Sequence, residues 1–297
     1  MEKIGSIIET TYSQSIVYLM GSNYFNAIPL SPSIGIEING LDLSQQLSKI
    51  TIEELRSYWL KYKLLIFRNQ NLEPQHQLSF TGRFGEIDRY PFLHGLPDFP
   101  DVAPVLKRPE DELNFGGVWH SDTAYLECPA AGATLYALEV PDNGGDTIFV
   151  DMAAVYTSLP KRLKAQIVSS KAENISGKAA VSKTRKISNS KLADSEVEEF
   201  RQVHPVVRTH PETSEKILYV NQAHTTCLVD QPSSVSEEIL NEVFSIIRNS
   251  QYRYQMKWER GTLIMWDNRA TQHYPLNDYP GCRRLLHRVS LKGDKPF

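Results

Sequence analysis

The stretch that most restricts what this chain can fold into is Trp119-His120-Ser121-Asp122. In extended backbone, residues two apart point to the same side, so His120 and Asp122 can aim an imidazole nitrogen and a carboxylate oxygen at one point. Two such donors are part of a metal site, and completing it needs a further histidine from a distant part of the chain. Two nitrogens and one oxygen on one octahedral face suit non-haem Fe(II), with the opposite face open for a cosubstrate and O2. A His-x-Asp triplet alone is weak evidence, because short patterns recur by chance; His210-Pro211-Glu212 is a look-alike, expected to lie exposed in a turn.

The rest of the chain supplies strands that could bring such residues together. Residues 1–23 carry no convincing period and read as an N-terminal extension. Residues 24–297 read as one domain, undivided by any repeat, low-complexity tract or Pro/Gly-rich linker. Segments 25–30 and 34–38 read as an edge hairpin, with Asn39-Gly40 as a turn signal. Residues 47–63 place apolar side chains at helical spacing, with Thr51 as N-cap and Glu54 three residues on. A short apolar strand at 64–67 precedes a second helix at 73–84, which Pro74 can start. Residues 85–118 are rich in Gly, Pro and Asp and read as a long loop running into His120. Tyr90 and Phe92 within it are candidate substrate contacts.

Beyond Asp122, residues 133–140 and 147–150 read as strands separated by the turn Pro141-Asp-Asn-Gly-Gly-Asp146, and 152–167 as one helix. A hairpin at 206–208 and 217–220, a helix at 236–249 and closing strands at 261–266 and 283–291 follow; Asn221 is a further candidate substrate contact. Residues 168–195 change character. Over 171–191, Lys171, Lys178, Lys183, Arg185, Lys186 and Lys191 face a lone acid, Glu173, so 168–195 reads either as a solvated loop or as a mobile lid that attracts an anionic substrate.

Composition narrows the function classes. A formal charge of −3 gives no basic footprint for nucleic acid, and the longest apolar run near the N-terminus is too short to span a membrane. Three scattered cysteines, Cys128, Cys227 and Cys282, form no disulfide frame or zinc knuckle and read as reduced thiols of a cytoplasmic protein. For the third ligand the candidate is His273, which follows a strand far downstream. Arg284 and Arg288 lie four apart on the next apolar strand and so share a face. An arginine turned into a sheet interior needs an anionic partner, and its fork matches a carboxylate.

Several further stretches, W-H-S-D-T-A-Y, G-G-D-T-I-F and W-D-N-R-A-T-Q-H-Y-P-L-N-D-Y-P-G-C-R-R-L-L-H-R with a trailing G-D-K-P-F, occur in this order. In them the chain resembles the taurine dioxygenase (TauD/TfdA-like) family of Fe(II)- and 2-oxoglutarate-dependent dioxygenases. The resemblance implies a mostly β fold, a cupin-like double-stranded β-helix or jelly roll with flanking helices. It implies iron on His120, Asp122 and His273, 2-oxoglutarate on Thr147 and Arg284, and Arg288 near the substrate's anionic group or the cosubstrate. The implied reaction consumes O2, oxidises an unactivated C–H of a small or medium organic anion, and yields succinate and CO2. Asp122 leaves no room for the chloride that halogenating relatives bind. Assembly as a dimer or tetramer is also in keeping with the family. Two departures point away from taurine: Tyr90 stands about where taurine-cleaving members carry a histidine after F-G-E, and Gly116 or Gly117 stands where they carry an asparagine. Two rival readings are a zinc hydrolase built on the same His/Asp/His set, with no role for Arg284, and a non-catalytic jelly roll.

Overall fold

The computed structural model describes residues 25–178 and 199–297. The expected extension at 1–23 and most of the expected lid lie outside the described residues. Sixteen strands are described: β1 (Asn26–Pro29), β2 (Ile36–Asn39), β3 (Leu64–Phe67), β4 (Ile87–Asp88), β5 (Ala103–Lys107), β6 (Gly132–Glu139), β7 (Thr147–Asp151), β8 (Lys171–Ile175), β9 (Arg201–Pro205), β10 (Val207–Thr209), β11 (Lys216–Leu218), β12 (Thr225–Leu228), β13 (Arg253–Met256), β14 (Leu263–Asp267), β15 (Thr271–Pro275) and β16 (Arg284–Leu291). The helices are α1 (Lys49–Tyr62), α2 (Pro74–Thr81), α3 (Met152–Ser158), α4 (Lys161–Ile167) and α5 (Ser233–Arg248).

The major sheet runs β1-β2-β3-β14-β6-β16-β4, with β5 also on β16, and a second sheet runs β13-β7-β15. The two face each other across a layer that includes Leu64, Ile66, Ala133, Phe149, Met256, Ile264, Trp266 and Leu286. The alternate residues Leu65, Phe67, Leu263 and Met265 point the other way and pack with Leu55, Trp59 of α1 and Phe80 of α2. Strands buried on both faces need no polar side, which is why 64–67 is apolar throughout. A third apolar layer joins Val150 to α3, α4 and α5 and to the smaller sheets. This is the arrangement of a jelly roll with flanking helices.

Several local expectations are corrected. The cap of α1 is Ser48, whose Oγ accepts the Thr51 N–H at 3.1 Å, so Thr51 is already inside the first turn. The bend of the first hairpin lies before Ile36, where Ser31 Oγ bonds both the N–H and the carbonyl of Ile34. The helix expected over 152–167 is two, because Pro160 cannot continue α3 and instead precedes α4. The loop expected at 85–118 contains β4 and β5; Pro104 is tolerated in β5, which among the described strands pairs with β16 alone. The beginning of the expected lid is strand β8, paired with both β9 and β12. Among the described residues no helix is long and apolar enough to cross a membrane.

Candidate metal centre

The two histidines meet because β15 has neighbours on both edges. On one side His273 pairs with Phe149 of β7; on the other it exchanges both backbone hydrogen bonds with His120, at 3.1 and 2.9 Å. Directly opposed residues of an antiparallel bridge present their side chains together, and the imidazole centroids are 4.1 Å apart. Asp122 follows at the start of a turn, and one donor atom each of His120, Asp122 and His273 lies within 4.8 Å of the others. All three residues are buried.

Each donor is in the state a metal requires. His120 Nδ1 lies 2.6 Å from the Val118 carbonyl, so it carries the proton, and Nε2 faces Asp122 Oδ1 at 3.6 Å. His273 stacks on Phe149, and among the described residues its buried Nδ1 has no hydrogen-bond partner. Burial, followed by repulsion from His120, holds the His273 pKa well below the ordinary histidine value, so the ring is neutral. Burial pushes the Asp122 carboxyl up, but the Arg288 guanidinium and the two histidines outweigh it and hold Asp122 well below the usual carboxylate range. Two imidazoles and one carboxylate form a donor set that fits a divalent ion.

Two arginines of β16 flank this set in different ways. Arg288 Nη2 donates to Asp122 Oδ2 at 3.0 Å and its Nε to Ser290 Oγ at 3.0 Å, while its guanidinium lies between the rings of Tyr90 and Trp266. Arg284 is buried against the Trp258 ring, and among the described residues its Nε has no hydrogen-bond partner. Burial pushes its pKa down, and among the described residues Tyr279 and Asp146 offset this only in part. Trp258 in turn donates to Thr147 Oγ1 at 3.0 Å, so Arg284, Trp258 and Thr147 form one wall. A buried guanidinium with an unfilled donor is the cradle for an anion.

The sequence model of the taurine catabolism dioxygenase TauD, TfdA family matches residues 26–290. The chain belongs to this family. An alpha-ketoglutarate-dependent sulfate ester dioxygenase of Pseudomonas putida is 29% identical over 279 residues, spanning 90% of this chain and 89% of the relative. An alpha-ketoglutarate-dependent 2,4-dichlorophenoxyacetate dioxygenase of Cupriavidus pinatubonensis is 27% identical, spanning 90% of this chain and 98% of that one. Among solved structures, a taurine dioxygenase from Burkholderia xenovorans superposes with a TM-score of 0.78 at 28% identity, covering 92% of both chains. The zinc hydrolase reading finds no support, since these TauD/TfdA-family relatives are 2-oxoglutarate-dependent and a buried Arg284 has no part in it.

Within the family framework, the departures have structural reasons. Gly116 has φ +75°, and a Cβ there would stand 2.9 Å from His120 Cε1, so an asparagine cannot occupy this position without displacing the imidazole. Tyr90 and Phe92 belong to an aromatic group with Phe115, Tyr125 and Phe200 beside Arg288. His224 packs edge-on to Tyr125 and has its ring 6.4 Å from that of His120. Asn221 is buried nearby, and its Oδ1 accepts the His224 N–H at 2.9 Å. Tyr125, His224 and Phe200 were not singled out from the sequence. Tyr125 closes the quoted W-H-S-D-T-A-Y stretch without a role of its own there, and His224 and Phe200 lie outside every quoted motif, so only the fold joins the three to the site.

His210 is not exposed as expected. It is buried, and its Nδ1 accepts the N–H groups of Glu212 and Thr213, so Nε2 donates to Asp267 Oδ2 at 3.0 Å. Arg269 closes on Asp267 and on Glu212, which also meets Arg56. This network anchors the turn between β14 and β15. Asp267→Ala should cost about 3–5 kcal/mol in chemical denaturation, because Arg269 would be left buried with its pairing broken. Burial raises the Asp267 pKa, but Arg269 and His210 more than reverse it, leaving it depressed. Its contribution is therefore complete above the ordinary value of 3.8 and is lost as pH falls from there toward the folded value.

Proposed function

We propose that His120, Asp122 and His273 hold ferrous iron, that Arg284 and Thr147 hold 2-oxoglutarate, and that the oxidised substrate is a small or medium organic anion with an apolar or aromatic body. The observation that carries this reading is the convergence of three sequence-distant donors within 4.8 Å beside a buried arginine whose Nε is unfilled. When bound, iron with 2-oxoglutarate and O2 supplies the oxidising power to attack an unactivated C–H bond, with succinate and CO2 as the coproducts.

The residues do the rest by position. A neutral His273 and an ionised Asp122 offer lone pairs with no proton to displace at neutral pH. Arg284 matches a distal carboxylate with its fork, and Trp258 and Thr147 fix the direction of approach. Arg288 keeps Asp122 charged and oriented. The aromatic group around Tyr90 excludes water and offers an apolar wall for the body of a substrate.

Hydroxylation is the default outcome, and beside a heteroatom it would fragment the product. Relatives named for sulfate esters, sulfonates and phenoxyalkanoates favour an anion of this kind, and the Gly116 and Tyr90 departures favour one other than taurine. The major sheet takes strands from Asn26 to Leu291, which supports one catalytic domain. A screen of alkyl sulfates, sulfonates and aryloxy carboxylates for stimulated succinate formation tests the reading. At least one aryl or alkyl anion should exceed taurine in kcat/KM by about tenfold or more, the scale of a few apolar contacts. Taurine as the best substrate would refute the assignment of the apolar wall.

A further inference from the structure

Of the three donors, Asp122 has the least regular backbone support. His120 and His273 are locked by paired strand-type hydrogen bonds, whereas Asp122 opens a turn whose next residue, Thr123, sits at φ +53°. A buried, β-branched residue in the left-handed region is strained, and such strain persists only where the surroundings enforce it.

The enforcing group is the side chain of Asn268, 0% exposed in the turn between β14 and β15. Its Oδ1 accepts the Asp122 N–H at 2.7 Å, and its Nδ2 donates to the Asp122 carbonyl at 3.0 Å and to the Ala130 carbonyl at 2.8 Å. One amide therefore ties both backbone groups of Asp122 to the far end of the same loop. Thr123 Oγ1 closes that loop by accepting the Ala130 N–H at 2.9 Å. Asn268 follows Asp267, whose carboxylate is gripped by Arg269 and His210.

We propose that Asn268 is a positioning residue of the metal centre, clamping a strained turn so that the Asp122 carboxylate stays aimed at the point His120 and His273 share. The inference rests on the metal-centre reading. Without the amide the turn would relax at Thr123 and Asp122 would swing aside, while the histidine pair, held by its own bridge, would remain. An asparagine that merely satisfied buried polar groups would lower stability and leave the donor geometry of the folded protein unchanged.

Co(II) titration of the metal-free full chain, read by visible absorption beside thermal melting, separates these cases. Asn268→Ala should still melt cooperatively but bind Co(II) about 10- to 100-fold more weakly, with an altered visible spectrum. Adding Thr123→Gly should recover about tenfold of the lost affinity, because glycine adopts that φ without strain. Should Asn268→Ala fail to fold, Asn268→Asp serves instead: it keeps the size and the acceptor but sets an oxygen against two carbonyls, and the same weakening is expected. Affinity and spectrum within twofold of wild type, or a weakening that Thr123→Gly leaves untouched, would overturn the proposal. A wild-type chain that binds no Co(II) would overturn the metal-centre reading and this inference with it.

Discussion

Arg284→Ala should raise the KM for 2-oxoglutarate by about 100-fold or more while leaving Co(II) binding to the cosubstrate-free protein within a few fold of wild type. Truncating one partner of a buried, hydrogen-bonded charge pair costs about 2–5 kcal/mol, and each 1.4 kcal/mol is about tenfold. Arg284→Lys keeps the charge but loses the fork, so it should fall between the two. A second signature separates a ligand-binding role from a structural one. The guanidinium is buried with its Nε unfilled, so without cosubstrate the alanine variant should be no less stable than wild type. The rise in melting temperature that 2-oxoglutarate gives wild type should vanish. Melting curves with and without 2-oxoglutarate measure both effects.

Loss of a metal donor should be still more severe. His120→Ala or His273→Ala should lower kcat/KM by about 1000-fold or more, since the reaction needs the metal and two donors hold it poorly. Asp122→Ala should match this loss and add a penalty in stability. It removes the carboxylate at 3.0 Å from Arg288 Nη2 and leaves that guanidinium buried between two rings, with Ser290 as its one remaining acceptor among the described residues. The alanine variant at 122 should therefore unfold at lower denaturant than either histidine variant, measured on metal-free protein.

How much of this was legible beforehand depended on whether a residue's role is local. Leu64 to Phe67 read as a strand because four apolar residues in a row after a helix leave few alternatives, and α5 showed its apolar face at helical spacing. His120, Asp122, His273, Thr147 and Arg284 carried motif-level patterns, and the fold brings the first three together and sets the other two along one wall. What was missed depends on partners remote in sequence. His210 sits beside Pro211 among turn formers, and nothing local announces that Asp267, 57 positions on, accepts its hydrogen bond. Thr51 looked like a cap because Glu54 follows it, but Ser48 Oγ caps the helix by accepting the N–H of Thr51 itself. Asn268 lay inside a quoted motif, yet its three bonds to Asp122 and Ala130 appear only once the two turns face each other.

The most direct measurement is the anaerobic visible difference spectrum of the purified chain with Fe(II) and 2-oxoglutarate added together. A weak charge-transfer band that saturates at one iron per chain, and is absent from His120→Ala and Arg284→Ala under the same conditions, is the predicted result. No band in the wild-type chain, or an equal band in both variants, would contradict an iron centre built on His120, Asp122 and His273 with Arg284 holding the keto acid.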